Sequence, residues 1–340
     1  MGKRIIIDTP GIILRVQNGL LTFPVGNKLA RERFEEIDEL RIGPGVMLSS
    51  DVLLNAVDAK TMVLIADTRG NLAGIFLPAT YTGTVKTQRE QIRAYDDWRG
   101  VTLAKAFAKA SIITRAKLLD YLGKNRRDKP EGEKLEKTAK EIMEISHKID
   151  EIEGQIDDIR QNLMSIEAKA ADKYFQALQL VIPEKYGFKG KRTRRPPKDP
   201  FNATISFINN RIREIALQAV ITAGLHPYFG FLHADKPGRF SMALDLAEEF
   251  IVPVGHIVAI KLFVREMLKE NHFRHENEAV FLNWEGRSKV LAELENRLAK
   301  QIHFKGVKTT IRNAIHRQAR HLAAYLRGEE RNYEIAQIPL

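Results

Sequence analysis

The sequence predicts an α+β chain in two parts, a small N-terminal β-sheet domain over residues 1–85 and a larger all-α-helical domain over residues 86–340. Three observations lead there. The chain has 340 residues, room for about two domains of roughly 150 residues each. Its first eighty residues alternate short Ile-, Val- and Leu-rich runs with turn residues, the mark of strands. From about residue 86 the apolar positions recur at helical spacing, with Gly/Pro interruptions only at 124–132, 183–200, 224–227 and 236–238.

Taken in order, the strand runs are residues 3–7, 12–16, 19–25, 37–42, 61–67 and 71–77. The segment Asp67-Thr68-Arg69-Gly70 joins the last two as a tight hairpin turn. Residues 49–59 instead carry a helical pattern behind a Ser/Asp start signal, which predicts one helix packed on the sheet. In the helical part Ile142, Ile145, Ile149, Ile152, Ile156, Ile159, Leu163 and Ile166 recur at alternating spacings of three and four. That is the seam of one long helix, pairing with the preceding helix around 103–122. Between Glu131 and Arg160 stand ten acidic and five basic residues, so the exposed face of this helix should repel DNA.

Composition narrows the function. Apolar residues make up 44% and charged residues 29%, which excludes wholesale disorder and collagen-like repeats. No run approaches the roughly 20 apolar residues of a membrane span, and the N-terminus has no signal-peptide pattern, so a cytoplasmic protein is expected. There is no cysteine, which removes disulfides, thiolate metal sites and cysteine nucleophiles; a metal here needs oxygen or histidine ligands. The net charge of +11 favours polyanionic partners. The densest basic run, residues 185–198, holds seven Lys or Arg and no acid. With Gly and two prolines it reads as an exposed flexible loop, in which Lys191, Arg192, Arg194 and Arg195 are the candidate phosphate contacts. Tyr186 and Phe188 would stack on bases or pack locally.

Hard metal ligands in apolar surroundings occur at three places: Glu167 in SIEAKAADKYF, His233 in GLHPYFGFLHADKPGRF, and Asp245 with Glu248 in SMALDLAEEF. Asp245 and Glu248 lie three apart on a helix, so both carboxylates leave one face, among Leu244, Leu246 and Phe250. Two carboxylates near a core are costly without a compensating cation or partner. A histidine with carboxylate oxygens suits manganese or magnesium better than zinc. His272, His275, His316 and His321 form no His-Glu-x-x-His motif and read as surface or DNA-facing residues. Gly187-Phe188-Lys189-Gly190-Lys191 has the wrong spacing for a P-loop, and no Gly-x-Ser-x-Gly elbow supports a serine hydrolase.

Together the segments QIRAYDDWRGVTLAKAFAKASIITRAKLL, IEAKAADKYF, DPFNATISFINNRIREIALQAVITAGLHPYFGFLH, GRFSMALDLAEEFIVPVGH and IRNAIHRQARHLAAYLRG followed by Tyr333 resemble, over nearly the whole chain, the CRISPR-associated adaptation integrase (Cas one). The resemblance implies an N-terminal β domain that forms a homodimer and a helical domain with one divalent-cation site. It places Glu167, His233 and Glu248 at ligand positions, with Asp245 as a supporting carboxylate. Two departures stand out: Asn210 where the family often has a tyrosine, and Ile251-Val252-Pro253 where it usually has Arg-Pro.

The implied activity is a Mg2+- or Mn2+-dependent DNA endonuclease and integrase, which joins the 3′-hydroxyl of a spacer precursor to repeat DNA and acts with a small dimeric partner (Cas two) that bridges two dimers. Residues alone leave two alternatives: a stand-alone metal nuclease for branched DNA repair, and a non-catalytic basic nucleic-acid-binding scaffold. The choice of cation, the repeat sequence and whether Asp245 is itself a ligand are not fixed by the sequence.

Overall fold

The computed structural model describes residues 3–68, 70, 72–76 and 85–340. Arg69 of the expected hairpin turn, and Asn71 and Leu77 at the ends of the last expected strand, lie outside them. The chain divides into two compact units, Met1–Thr82 and Gly83–Leu340.

Among its described residues the first unit holds two four-stranded sheets. β1 (Lys3–Ile7), β2 (Ile13–Gln17), β3 (Leu20–Val25), β4 (Lys28–Arg33), β5 (Ile37–Ile42) and β6 (Met47–Leu48) precede helix α1 (Ser50–Asp58), followed by β7 (Met62–Ala66) and β8 (Leu72–Phe76). The sheet orders are β1-β5-β7-β8 and β4-β3-β2-β6. β5 and β7 run parallel, a pairing that needs a crossover, and α1 supplies it with Val52 and Ala56 buried in the core beside Leu14, Leu40 and Val63. β4 and β6 were absent from the sequence reading for physical reasons: β4 is an edge strand of polar residues (KLARER), and β6 is two residues long.

The second unit is mainly helical. It contains α2 (Val85–Tyr95), α3 (Trp98–Lys124), α4 (Pro130–His147), α5 (Ile156–Leu178), α6 (Pro200–Thr222), α7 (Ser241–Glu248), α8 (Ile257–Val264), β9 (Phe273–Glu276), β10 (Ala279–Leu282), α9 (Trp284–Ala299), β11 (Gln301–Phe304), β12 (Val307–Thr310) and α10 (Ile311–Leu326). Caps fix several starts: Asp97 accepts from the Arg99 N–H, Asp199 from the Asn202 N–H with Pro200 opening α6, and Thr310 from the Asn313 N–H. α3 and α6 are buried along most of their length and form the spine of the core.

Two expectations need correction. The domain is not all helix: β9–β10 and β11–β12 are short antiparallel hairpins. The second turns on Lys305 and Gly306, both left-handed at φ 46° and 76°, so only the glycine gave a turn signal. The isoleucine seam is also not one helix. It breaks between α4 and α5, where Gly154 sits at φ +132°, a conformation that L side chains rarely adopt. Ile142, Ile149, Ile156, Ile159 and Leu163 remain buried across the break, because both shorter helices pack on α3.

Candidate metal centre

Four segments of the second unit bring polar groups together. α3 contributes Ser111 and Arg115, one helical turn apart on its buried face. α5 contributes Glu167, α7 contributes Asp245 and Glu248, and the loop between α6 and α7 contributes His233. Gln91 of α2 shapes that loop, donating to the carbonyls of His226 and Phe229 at 3.0 and 2.7 Å and accepting from the His226 N–H at 2.7 Å.

Asp245 then fixes the end of the loop. It is fully buried. Its Oδ2 accepts from the N–H groups of Phe231 and Leu232 at 2.6 and 3.0 Å, and its Oδ1 from the His233 N–H at 2.9 Å. The His233 Nδ1 stands 2.7 Å from the same Oδ1. Gly230 permits this closeness, since a Cβ there would lie 2.7 Å from the His233 carbonyl oxygen and 3.0 Å from Asp245 Oδ2. Both Asp245 oxygens are therefore occupied in holding the loop and orienting the imidazole, and Nε2 is left as the ring nitrogen for another partner. Burial pushes the His233 pKa down. The hydrogen bond to Asp245 and the charges of Asp245, Glu248 and Glu167 outweigh burial and hold it above the usual histidine value.

Ser111 links the two glutamates. Its Oγ is 2.8 Å from Glu167 Oε1 and 3.0 Å from Glu248 Oε2. Arg115 donates to the same Oγ and reaches Glu167 Oε1 at 3.2 Å. The counter-charge expected for paired carboxylates is thus partly internal: Asp245 has three amides and a histidine, and Glu167 has Arg115. Among the described residues no three acidic or histidine side chains stand close enough to hold a metal ion as they are. The donor types nonetheless suit a hard divalent cation: Ser111 joins the carboxylates of Glu167 and Glu248, and the charges of both reach the His233 imidazole.

Sequence reasoning missed Ser111 and Arg115. Their signal was a polar pair at i, i+4 on the otherwise apolar face of α3. It also missed Glu249, which follows Glu248 and is fully buried. Glu249 accepts from the Tyr333 hydroxyl, from the Gln318 amide at 2.9 Å and from the Ala336 N–H at 2.6 Å, tying the chain's last residues to the end of α7. Burial pushes its carboxyl up to about 7, against the pull of these partners.

The basic segment is not the exposed flexible loop expected from its composition. Tyr186 packs edge-on against Phe263 at 4.6 Å and donates to the Leu268 carbonyl at 2.8 Å; Phe188 packs on Phe201 at 4.8 Å. Neither aromatic is free to stack on bases. Arg192 is turned inward, donating to Asn202 Oδ1 and Ser206 Oγ, both at 2.9 Å. Only Lys191, Arg194 and Arg195 of the four candidate contacts are exposed. His272 is likewise no surface residue: it is buried and its Nδ1 accepts from the Lys269 N–H at 2.7 Å. His321 stacks on Tyr333 with ring centres 5.5 Å apart. The Ile251-Val252-Pro253 departure lies in a wide π-type turn, Ile251–His256, buried throughout.

The profile of the family described as CRISPR associated protein Cas1 matches residues 5–296. The chain is 36% identical over 337 residues to CRISPR-associated endonuclease Cas1 1 of Archaeoglobus fulgidus, covering 96% of this chain and 97% of that one. Among solved structures it resembles a casposase bound to integration product, with TM-score 0.82, 22% identity and 99% and 96% of the two chains covered. It also resembles a chain of a Cas6-RT-Cas1–Cas2 complex, with TM-score 0.79 and 21% identity, over 98% of this chain and 36% of that one. Sequence and fold agree, and the chain belongs to the Cas1 family of CRISPR-associated endonucleases.

Proposed function

We propose that this chain joins the 3′-hydroxyl end of a spacer precursor to repeat DNA by transesterification, at a site formed by Glu167, His233 and Glu248 with Asp245 in support. The observation that supports this reading is the Ser111-linked pair Glu167 and Glu248 in the cluster that also charges His233, whose ring Asp245 orients. These are the residues that would hold Mg2+ or Mn2+. A bound divalent cation supplies Lewis-acid stabilisation of the charge that develops on the phosphoryl oxygens. The protein's own part is to fix the imidazole through Asp245, hold the two carboxylates through Ser111, and present DNA phosphates to Lys191, Arg194 and Arg195. Since His233 is held above its usual pKa, proton and cation compete for it, and cation affinity rises with pH.

The partners follow from the same reading: DNA, a second copy of the chain through residues 1–85, and the small bridging protein Cas2. The first unit leaves Val25, Leu29 and Met47 exposed, apolar surface of the kind a second copy would cover. The testing experiment mixes the chain, Cas2, a duplex with free 3′-hydroxyl ends and a repeat-bearing plasmid. Joining at the repeat, abolished by chelator, is expected; cutting of branched DNA without any repeat preference selects the repair nuclease, and chelator-insensitive binding alone selects the scaffold. Sedimentation at micromolar concentration should show a dimer, and a monomer that still joins DNA contradicts that assignment.

A further inference from the structure

α6 carries a partly buried cation that the metal cluster does not use. Arg213 Nε is withdrawn from water and has no partner. Among the described residues its hydrogen bond is from Nη1 to Asn210 Oδ1 at 3.5 Å, the outer limit of such a contact. Among the described residues no carboxylate lies within ion-pair distance of it. Arg115 likewise leaves its Nε without a hydrogen bond, but the rest of the guanidinium of each neighbouring arginine is well served. Arg115 has Glu167 and Ser111, Arg211 has Glu214, and Arg192 has Asn202 and Ser206. A buried guanidinium left short of partners costs free energy and calls for an explanation.

Its surroundings supply one. α6 packs against α7, and Arg213 feels the charge of Glu248 attractively and those of Arg194 and Arg195 repulsively. Arg192 seats the basic segment on α6 through Asn202 and Ser206, which holds Arg194 and Arg195 on the same side. Arg213 thus lies on α6 two turns from Ser206, where the basic segment is seated, and feels the charges of Glu248, Arg194 and Arg195. A tetrahedral anion fits, because a guanidinium offers a planar fork of donors that matches phosphate oxygens.

We propose that Arg213, flanked by Arg194 and Arg195, is the subsite for the reacting DNA phosphate, taking a non-bridging oxygen beside Glu248. The inference rests on the proposed function for the identity of the reaction. Arg194 and Arg195 meet the backbone at the rim, and Arg213 meets the phosphate on which charge develops. It contributes most when that charge is greatest.

The test uses full-length Arg213→Gln and Arg213→Lys, with Mn2+ and a branched duplex carrying a 3′-hydroxyl strand. Folding is checked by thermal melting and Mn2+ binding by titration. For Arg213→Gln, the single-turnover rate at saturating DNA should fall about 100-fold, the loss typical of one donor removed from a charge-stabilising site. The salt slope of DNA binding should fall by about one, Mn2+ affinity should hold, and Arg213→Lys should recover part of the rate. A folded Arg213→Gln with wild-type saturating rate and salt slope overturns the proposal. So does a variant that loses Mn2+ in step with rate, because Arg213 then serves the cation site. If the wild-type chain itself joins and cuts no DNA, the functional reading fails, while the salt slope still decides whether Arg213 touches phosphate.

Discussion

Replacing Asp245 separates the architecture of the site from its chemistry. Its side chain is fully buried and accepts three backbone N–H groups as well as facing His233 Nδ1. Asp245→Ala leaves those three amides without an acceptor, at about 1–3 kcal/mol each. Partial relaxation of the loop keeps the total near the lower end, about 4 kcal/mol, out of an overall stability of about 5–15 kcal/mol. Asp245→Asn keeps one acceptor oxygen but sets an amide donor against N–H donors and loses the charge, at about 2 kcal/mol. Urea denaturation followed by far-ultraviolet circular dichroism measures both. Asp245→Asn should fold, yet bind Mn2+ about 10–100-fold more weakly, because the imidazole loses its orienting partner. An Asp245→Ala midpoint shift worth under ~1 kcal/mol, or wild-type Mn2+ affinity in Asp245→Asn, would show that Asp245 neither holds the loop nor orients the imidazole.

The remaining predictions follow the same logic. The triple change Lys191→Ala, Arg194→Ala and Arg195→Ala should lower the salt slope of DNA binding by up to about three at unchanged melting temperature, whereas Arg192→Ala, which removes buried donors to Asn202 and Ser206, should lower stability by about 2 kcal/mol. In chelator, Glu167→Gln should melt below wild type, since Arg115 loses its ion-pair partner; a melting temperature at or above that of wild type contradicts the charge assignment. His256 is buried, and burial followed by the charges of Arg115, Arg192, Arg194 and Arg213 holds its pKa well below 6.5. A depressed histidine contributes stability that is present above the unfolded value and is lost as pH falls below it. Thermal melts at pH 7.5, 6.0 and 5.0 should therefore drop more steeply for wild type than for His256→Gln, and parallel curves refute the role.

How far the sequence could be read depended on whether a signal was local. Strands 3–7 and 37–42 stood out because buried Ile and Leu dominate them, while β4 escaped because an edge strand needs few apolar residues. The break between α4 and α5 escaped for the opposite reason: Ile149 and Ile152 continue the spacing through the turn, so periodicity alone reported one helix. Glu167, His233, Asp245 and Glu248 could be named singly, from their apolar neighbours and from the family resemblance. Their arrangement could not. That Asp245 occupies both oxygens in holding residues 231–233, and that Arg115 from a helix fifty residues earlier meets Glu167, are facts of tertiary packing. Composition also misread residues 185–198, whose charges masked the buried anchors Tyr186 and Phe188 and the inward-turned Arg192.

The central claim is that Glu167, His233 and Glu248 together hold a divalent cation. Equilibrium Mn2+ binding, followed by electron paramagnetic resonance on wild type and on folded Glu167→Gln, His233→Gln and Glu248→Gln, tests it most directly. The wild-type chain should bind Mn2+ stoichiometrically, more strongly as pH rises through the titration of His233, and each variant should lose about tenfold or more in affinity. Wild-type Mn2+ affinity in all three variants contradicts it.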